Sequence, residues 1–231
     1  MSNNRKLRTV KNNILTLDVS DPILLQHFQS PVNCTRNILD QFNEKLYDKW
    51  FENKNNLTIL DCGGNIGLFA LHVFECAKKI VSVEPTPNHI YIFKHLTSNY
   101  PNIFLFEGAL SPENKDIDFY FCNENTTMNS IANNYGDGTI KVNGKTLKNI
   151  LDANNLDTVD FAKIDIEGSE MLSINNQTIS DVSDRIKSFF VETHDTSHGR
   201  IPQNRDTLAN IFKNYNYNVE FVGHDSLFAW K

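Results

Sequence analysis

Long apolar runs are missing: no stretch approaches the roughly 18 uninterrupted apolar residues that would span a bilayer. The first residues, Met1 to Asn13, are polar and carry no apolar segment of the kind a secretory leader needs. The chain therefore reads as cytoplasmic, with no membrane partner. Positive charge is also short, since 22 Lys and Arg face 28 Asp and Glu, a net charge of −6. A nucleic-acid partner would call for a basic face to displace counterions, so none is expected. Cysteine is sparse and scattered, at positions 34, 62, 76 and 122, with no C-x-x-C pair. Neither a zinc knuckle nor a disulfide framework follows, and the four read as reduced, half-buried thiols. The sequon Asn33-Cys34-Thr35 then has no meaning for glycosylation. Repeats and low-complexity linkers are absent as well.

What is present suits one core. The 231 residues are 40% apolar and include 16 Phe, enough to fill a single domain. The pattern changes near residue 57. Before it, Ile38, Leu39, Phe42, Leu46 and Trp50 recur at three- and four-residue steps behind Thr35, an N-cap residue type, which predicts an amphipathic helix and makes residues 1–56 an N-terminal helical extension. Residues 57–231 read as the second unit, in which strands and helices alternate. Leu57 to Leu60, Lys79 to Val83, Ile103 to Phe106, Asp160 to Asp165 and Ser188 to Glu192 are short apolar strands. Leu68 to Cys76 and Asn88 to Asn99 are helical patterns between them. Such alternation predicts an α/β, doubly wound, mostly parallel sheet. Tyr217 to Val222 and Leu227 to Lys231 flank Gly223-His224-Asp225-Ser226, which predicts an antiparallel closing hairpin.

The first chemical motif, Leu60-Asp61-Cys62-Gly63-Gly64-Asn65-Ile66-Gly67, sits where the first of these strands turns into a helix. Glycine permits unusual dihedrals and close approach, and a helix N-terminus offers N–H groups to a carboxylate or phosphate. A dinucleotide fingerprint ending at Gly67 would need glycine at 62, where Cys62 stands, so the nicotinamide reading weakens. Asp61 weakens it further: a carboxylate repels pyrophosphate but suits an ammonium and a sulfonium. Glu84, ending Val81-Ser82-Val83-Glu84-Pro85 about 20 residues on, stands where a carboxylate grips ribose hydroxyls. Glu107 and Gly108, after the third strand, are candidates for lining an adenine pocket.

The segment Asp160 to Glu170 is the most unusual in the chain, because it places charges in a buried strand. Alternation sends Phe161, Lys163 and Asp165 to one face and Ala162, Ile164 and Ile166 to the other. A structural ion pair and a functional site both accommodate Lys163 and Asp165, and the cost of burying charge favours the site. The fifth strand ends in Val191-Glu192-Thr193-His194. In open α/β sheets ligands bind beyond the carboxyl ends of strands, so Asp61, Glu84, Asp165, Glu192 and His194 should converge, with His194 or Asp165 as base. A divalent ion on Asp165, Glu192 and His194 is a variant of the same site, although no residue is assigned as a metal ligand. The His194 and His198 spacing is also one that zinc sites use. Thr193 to Arg200 is polar enough for an acceptor loop, with Arg200 as a clamp for an acidic group, and Asn123 to Ser130 for a cover over the donor.

Taken together, Asp61 to Gly67, Glu84-Pro85-Thr86-Pro87, Thr146-Leu147, Asp160 to Glu170 and Val191 to His194 resemble the successive motifs of the FkbM-type methyltransferase family, over roughly residues 57–217. The resemblance implies a class I methyltransferase (Rossmann-like) fold, S-adenosylmethionine as donor, and O-methylation of a small molecule or glycan. It implies that Asp61, Gly63, Gly64, Asn65 and Gly67 cradle the donor and that Glu84 holds its ribose. Glu107, Gly108 and Asp165 border the donor, and Lys163, Asp165, Glu167, Glu192 and His194 surround the acceptor. Gly64 is one glycine more than that turn needs, and residues 1–56 lie outside the similarity. A nucleic-acid methyltransferase would share the donor. Base-amino methylation, however, commonly uses an Asn/Asp-Pro-Pro-aromatic loop, whereas this strand runs into Asp165-Ile166-Glu167-Gly168. A nicotinamide oxidoreductase and a non-catalytic binding protein would also share the fold.

Overall fold

A computed structural model of the chain describes residues 4–18, 21, 22, 24, 46–121, 129–132, 138–195 and 200–231. Strands β1 (Asn4–Arg8) and β2 (Ile14–Asp18) pair antiparallel as a hairpin. The sequence pattern predicts a helical extension here instead. Each of these strands buries one Leu, Leu7 or Leu17; β1 is otherwise polar, and β2 adds only the exposed Ile14 and the half-buried Leu15, too short a pattern to declare a strand. Of the helix expected between Thr35 and Trp50, residues 35–45 lie outside the described residues, and Asp48–Trp50 forms a single 3-10 turn.

The main sheet is built from β3 (Leu57–Cys62), β4 (Ala77–Glu84), β5 (Ile103–Glu107), β9 (Phe161–Ile164), β10 (Ser188–Glu192), β11 (Asn218–Val222) and β12 (Ser226–Trp230). Its order is β11-β12-β10-β9-β3-β4-β5. Strands β5, β4, β3, β9 and β10 pair in parallel, while β12 runs antiparallel to both β10 and β11. The doubly wound, mostly parallel sheet and its closing hairpin are thus as the sequence predicts. Helices α1 (Leu68–Val73) and α2 (Pro87–Thr97) follow β3 and β4, with Pro87 in the first turn, where a missing N–H costs nothing. Helices α3 (Leu147–Ala153), α4 (Glu170–Ser173), α5 (Asn176–Val182) and α6 (Ile201–Asn214) occupy the later connections. A second sheet, β6 (Ala109–Leu110), β8 (Thr139–Lys145) and β7 (Lys115–Tyr120), branches off after β5 and is not among the strands expected from the sequence.

Alternation along the central strands feeds two cores. Leu60, Cys62, Ala162, Ile164, Phe189 and Val191 belong to one, while Ile59, Phe161 and Phe190 belong to the other. Tyr47, Trp50, Phe51, Leu7 and Leu17 join the second core, packing the N-terminal segment against the sheet. Tyr47 meets Phe69 and Phe190 edge-on, each at 5.1 Å between ring centroids. Arg8 reinforces this with a fork onto Asp48 at 2.8 and 3.1 Å, and Asp48 also meets buried His72 of α1 at 3.2 Å. Among the described residues, no helix is long and apolar enough to cross a membrane.

Candidate active site

The strand registers place Ser82, Asp61, Lys163 and Phe190 side by side across β4, β3, β9 and β10. Since the period is two, Asp61 and Lys163 share the face of Ile59 and Phe161, as the sequence predicts for Phe161 and Lys163. Asp61 is fully buried and accepts a 2.8 Å bond from the Ser82 hydroxyl through Oδ2. Its Oδ1 has no hydrogen-bond partner among the described residues and lies 4.0 Å from Lys163 Nζ. Lys163 Nζ donates to Asp165 Oδ2 at 2.9 Å. Burial pushes the Asp61 carboxyl up, with Lys163 opposing the shift. Burial acts against the Lys163 charge, but Asp165, Tyr47 and Asp61 outweigh it and hold the ammonium well above its usual range. Tyr47 reaches this cluster from outside the segment that carries the resemblance, and nothing in its sequence neighbourhood points here.

The glycine turn is tight for internal reasons. A Cβ on Gly63, whose φ is +88°, would sit 1.7 Å from the carbonyl oxygen of Asp165, so glycine lets the ends of β3 and β9 touch. A Cβ on Gly64 would lie 2.9 Å from Ser82 Cβ, and one on Gly67 3.0 Å from the Phe93 ring. The sequence leads one to expect free N–H groups along this turn. Instead, Gly63 and Gly64 donate to Val83 O, Asn65 to Glu84 Oε2 at 2.8 Å, Ile66 to Asn65 Oδ1 and Gly67 to Gly64 O. These five amides are already paired, so what the turn offers a ligand is carboxylate and shape.

Glu84 is the hinge of that arrangement. Its Oε1 accepts from Thr86 N at 2.8 Å and faces His89 Nδ1 at 3.3 Å, while Oε2 takes the Asn65 amide. Burial would raise this carboxyl, yet His89 and Thr86 hold it below the usual range. Glu107 is placed differently: it is exposed and paired with Lys94 at 2.6 Å. Gly108 is required by packing, for a Cβ there would lie 2.5 Å from Asn143 O of β8.

The second focus is His194, at the end of β10. Its Nε2 faces Glu167 Oε2 at 3.5 Å, Asp165 Oδ1 at 3.9 Å and Glu192 Oε1 at 3.9 Å. Its Nδ1 meets Glu170 Oε1 at 3.1 Å. Burial would lower the ring's basicity, but the hydrogen bond and charge of Glu170, with Asp165 and Glu167, raise it to about 10. The Glu170 bond to Nδ1 and the acidic groups facing Nε2 favour the protonated ring, which counts against His194 as a base tuned to neutrality. Burial and Asp165 push Glu167 up to about 8, and Asp165 and burial push Glu192 up to about 7. Asp165 is opposed by burial but held below its usual range by Lys163 and His194. Donor atoms of Asp165, Glu167 and His194 all lie within 4.8 Å of one another, so a divalent ion would meet three of them after displacing the imidazole proton.

Asp61, Lys163, Asp165, Glu167, Glu192 and His194 are thus brought to adjoining strand ends, with Glu84 beside the turn they share. Arg200 is not poised as a clamp; it pairs with Asp195 at 2.8 Å where α6 begins. His198, with residues 196, 197 and 199, lies outside the described residues, as do positions 123–128 of the expected cover and Cys34 and Cys122. Ser130, which is described, meets the Ser169 hydroxyl at 3.1 Å. Glu170 closes the Asp160 to Glu170 motif without a role of its own in the sequence pattern, since an acid opening a helical turn looks like an ordinary capping group.

A family model described as the methyltransferase FkbM domain matches residues 61–219. No curated protein matches the chain. Among solved structures, methyltransferase FkbM from Methylobacillus flagellatus KT is similar with a TM-score of 0.53 and 15% identity, over 80% of this chain and 46% of that one. The present chain thus spans less than half of that protein's length. A fibrillarin pre-rRNA processing protein from Methanococcus jannaschii follows at 0.50 and 11%, over 77% and 67% of the two chains. Precorrin-6y C5,15-methyltransferase from Geobacter metallireducens GS-15 is similar at 0.48 and 12%, over 82% and 87%. At such identities the likeness at TM-scores of 0.53 and 0.50 carries the fold alone, which is the class I methyltransferase, Rossmann-like arrangement.

Proposed function

The chain belongs to the FkbM methyltransferase family, and from that membership we propose that it transfers the methyl group of S-adenosylmethionine to a hydroxyl oxygen of a small molecule or glycan. The observation that carries this reading is the convergence of Lys163, Asp165, Glu167, Glu192 and His194 at the carboxyl ends of β9 and β10, next to the Asp61 turn. The donor fits the residues present. Asp61 Oδ1 is a buried acceptor without a hydrogen bond among the described residues, suited to an ammonium, and Glu84 Oε2 carries one bond from Asn65, leaving acceptor capacity for a ribose hydroxyl. Gly63, Gly64, Asn65 and Gly67 shape the turn between these two acids, and Gly108, just after β5, donates its amide to Glu84 O at 3.1 Å, while Glu107 ends β5 beside Glu84.

The bound donor supplies an electrophilic methyl group on a sulfonium. The chain's own work is alignment and proton handling. Holding the acceptor in line contributes on the order of 7–11 kcal/mol. Lys163 fixes Asp165 by its 2.9 Å bond, which gives the acceptor hydroxyl a stationary hydrogen-bond partner. Glu192 Oε1, at the mouth of β10, takes the hydroxyl proton, and its carboxyl sits at about 7, where a general base works best. His194 stays charged and steadies Glu167 and Glu192 through its ring. The net charge of −6 supports an acceptor that is not nucleic acid. Incubation with methyl-tritiated S-adenosylmethionine and a panel of hydroxylated metabolites and glycans tests the reading. Label recovered as a methyl ether supports it; label recovered only on nitrogen or carbon overturns the hydroxyl acceptor.

A further inference from the structure

The geometry points to Glu170 as the positioning residue of this site: its carboxylate fixes the ring of His194 and, with the same two oxygens, the turn that carries Glu167. The inference rests on reading the cluster as the acceptor site. Glu170 is 1% exposed, so it cannot touch an acceptor and acts only through its neighbours. A carboxylate so buried needs several donors. Its Oε1 accepts from Ile166 N at 3.0 Å, Gly168 N at 3.3 Å and His194 Nδ1 at 3.1 Å, and its Oε2 from Gly168 N at 3.1 Å. The amides come from the turn after β9, in which Glu167 has a φ of 55° and Gly168 of 93°. A left-handed conformation is unfavourable for a glutamate, and the Glu170 carboxylate holds both flanking amides in the orientation that requires it. One side chain thereby ties the β9 turn to the β10 end.

The ring is held from its other side too. Asn204 of α6 donates to His194 O at 2.8 Å, and Thr193 N donates to Asp225 O at 2.9 Å. With backbone and Nδ1 both tied, Nε2 has one direction left, toward Glu167, Asp165 and Glu192. The charged groups facing the ring are therefore Asp165, with Lys163 behind it, Glu167, Glu170 and Glu192. Helix α6 contributes the neutral Asn204, and the β11–β12 turn contributes Asp225, whose charge also reaches Glu192.

Glu170→Gln tests this. The amide oxygen can still take Ile166 N and His194 Nδ1, but the charge is gone. The ring is followed by NMR titration of wild type and variant without any methyl donor, so this arm stands even if the methyltransferase reading fails. The wild-type ring should stay protonated between about pH 6 and 8.5, and the E170Q ring should titrate inside that window. Turnover should fall on the order of 10²-fold with donor affinity unchanged, the size of loss that a displacement of about 1 Å in the positioned groups produces. In a His194→Gln background, E170Q should cost less, because only its hold on the Glu167 turn is left to lose. A ring that titrates identically in wild type and E170Q overturns the proposal, as does an equal loss of turnover in both backgrounds. If E170Q does not fold, Glu170→Asp replaces it: the shorter carboxylate keeps the charge but loses the reach to both His194 Nδ1 and the Ile166 and Gly168 amides, so turnover should fall with donor affinity unchanged, and full turnover overturns the proposal.

Discussion

Replacing Lys163 with Met keeps the buried stem and removes only the ammonium, so it isolates what that charge does. Lys163 is 4% exposed, 2.9 Å from Asp165 Oδ2 and 4.0 Å from Asp61 Oδ1. Deleting one partner of a buried ion pair costs about 3–5 kcal/mol, because the remaining charge is left without compensation. Asp165, with 24% of its side chain exposed, can recruit water, whereas Asp61 is fully buried and keeps only Ser82. The lower end, about 3 kcal/mol, is therefore expected, a fall in Tm of about 6–12 °C for a domain of this size. The pH dependence follows from sign. The folded pKa of Asp61 is raised, so its ionisation costs stability as pH rises through that value, and Lys163 partly offsets the cost. Lys163, itself raised, is protonated throughout the accessible range, so the offset is always present in wild type. The K163M deficit should shrink as the pH is lowered and Asp61 takes up a proton, since Lys163 then has no charge left to offset. Thermal melts of both proteins across a pH series decide it. An unchanged Tm, or a deficit that does not vary with pH, would refute the reasoning.

Three further outcomes are expected. Wild-type turnover should rise with pH through about 7 as Glu192 ionises, and Glu192→Gln should remove that rise and lower turnover by about 10²- to 10⁴-fold; an unaltered profile would take Glu192 out of the mechanism. Gly63→Ala must place a Cβ 1.7 Å from Asp165 O at a φ of +88°, forcing β3 and β9 apart, and should cost about 3 kcal/mol or more, measured by denaturant unfolding. Exhaustive chelation should leave turnover intact, because the proposed alignment and proton transfer need only Lys163, Asp165 and Glu192; a loss restored by magnesium would put an ion among Asp165, Glu167 and His194.

The strand ends are legible in the sequence because each is a short apolar run closed by a charge: Leu60 before Asp61, Val83 before Glu84, Val191 before Glu192. Alternation alone places Lys163 and Asp165 beside Phe161. The N-terminal hairpin is not legible, because Leu7 is the single apolar residue of β1, β2 is a five-residue run with Ile14 exposed, and Leu7 and Leu17 are buried in a core shared with Phe51 and Phe69 far along the chain. Strand β7, Lys115–Tyr120, alternates charge with Ile117 and Phe119 over a small satellite core, a period-2 pattern that is not among the strands expected above. In the site, residue identity is readable and electrostatic state is not. The basicity of His194 is set by Asp165, Glu167, Glu170 and Glu192, which approach from the end of β9, the following turn, α4 and β10. No local pattern reports such distances. Tyr47 and Glu170 escape for the same reason, one arriving from far along the chain and the other resembling a helix cap.

Donor binding tests the central claim most directly: thermal shift of the purified protein with S-adenosylmethionine, S-adenosylhomocysteine and NAD, each with and without magnesium. A ligand that binds only the folded state, at about 100 times its dissociation constant, stabilises by about 2.7 kcal/mol, or about 5–11 °C here. The account predicts that shift for the two sulfur nucleosides and none for NAD. Stabilisation by NAD alone would contradict it.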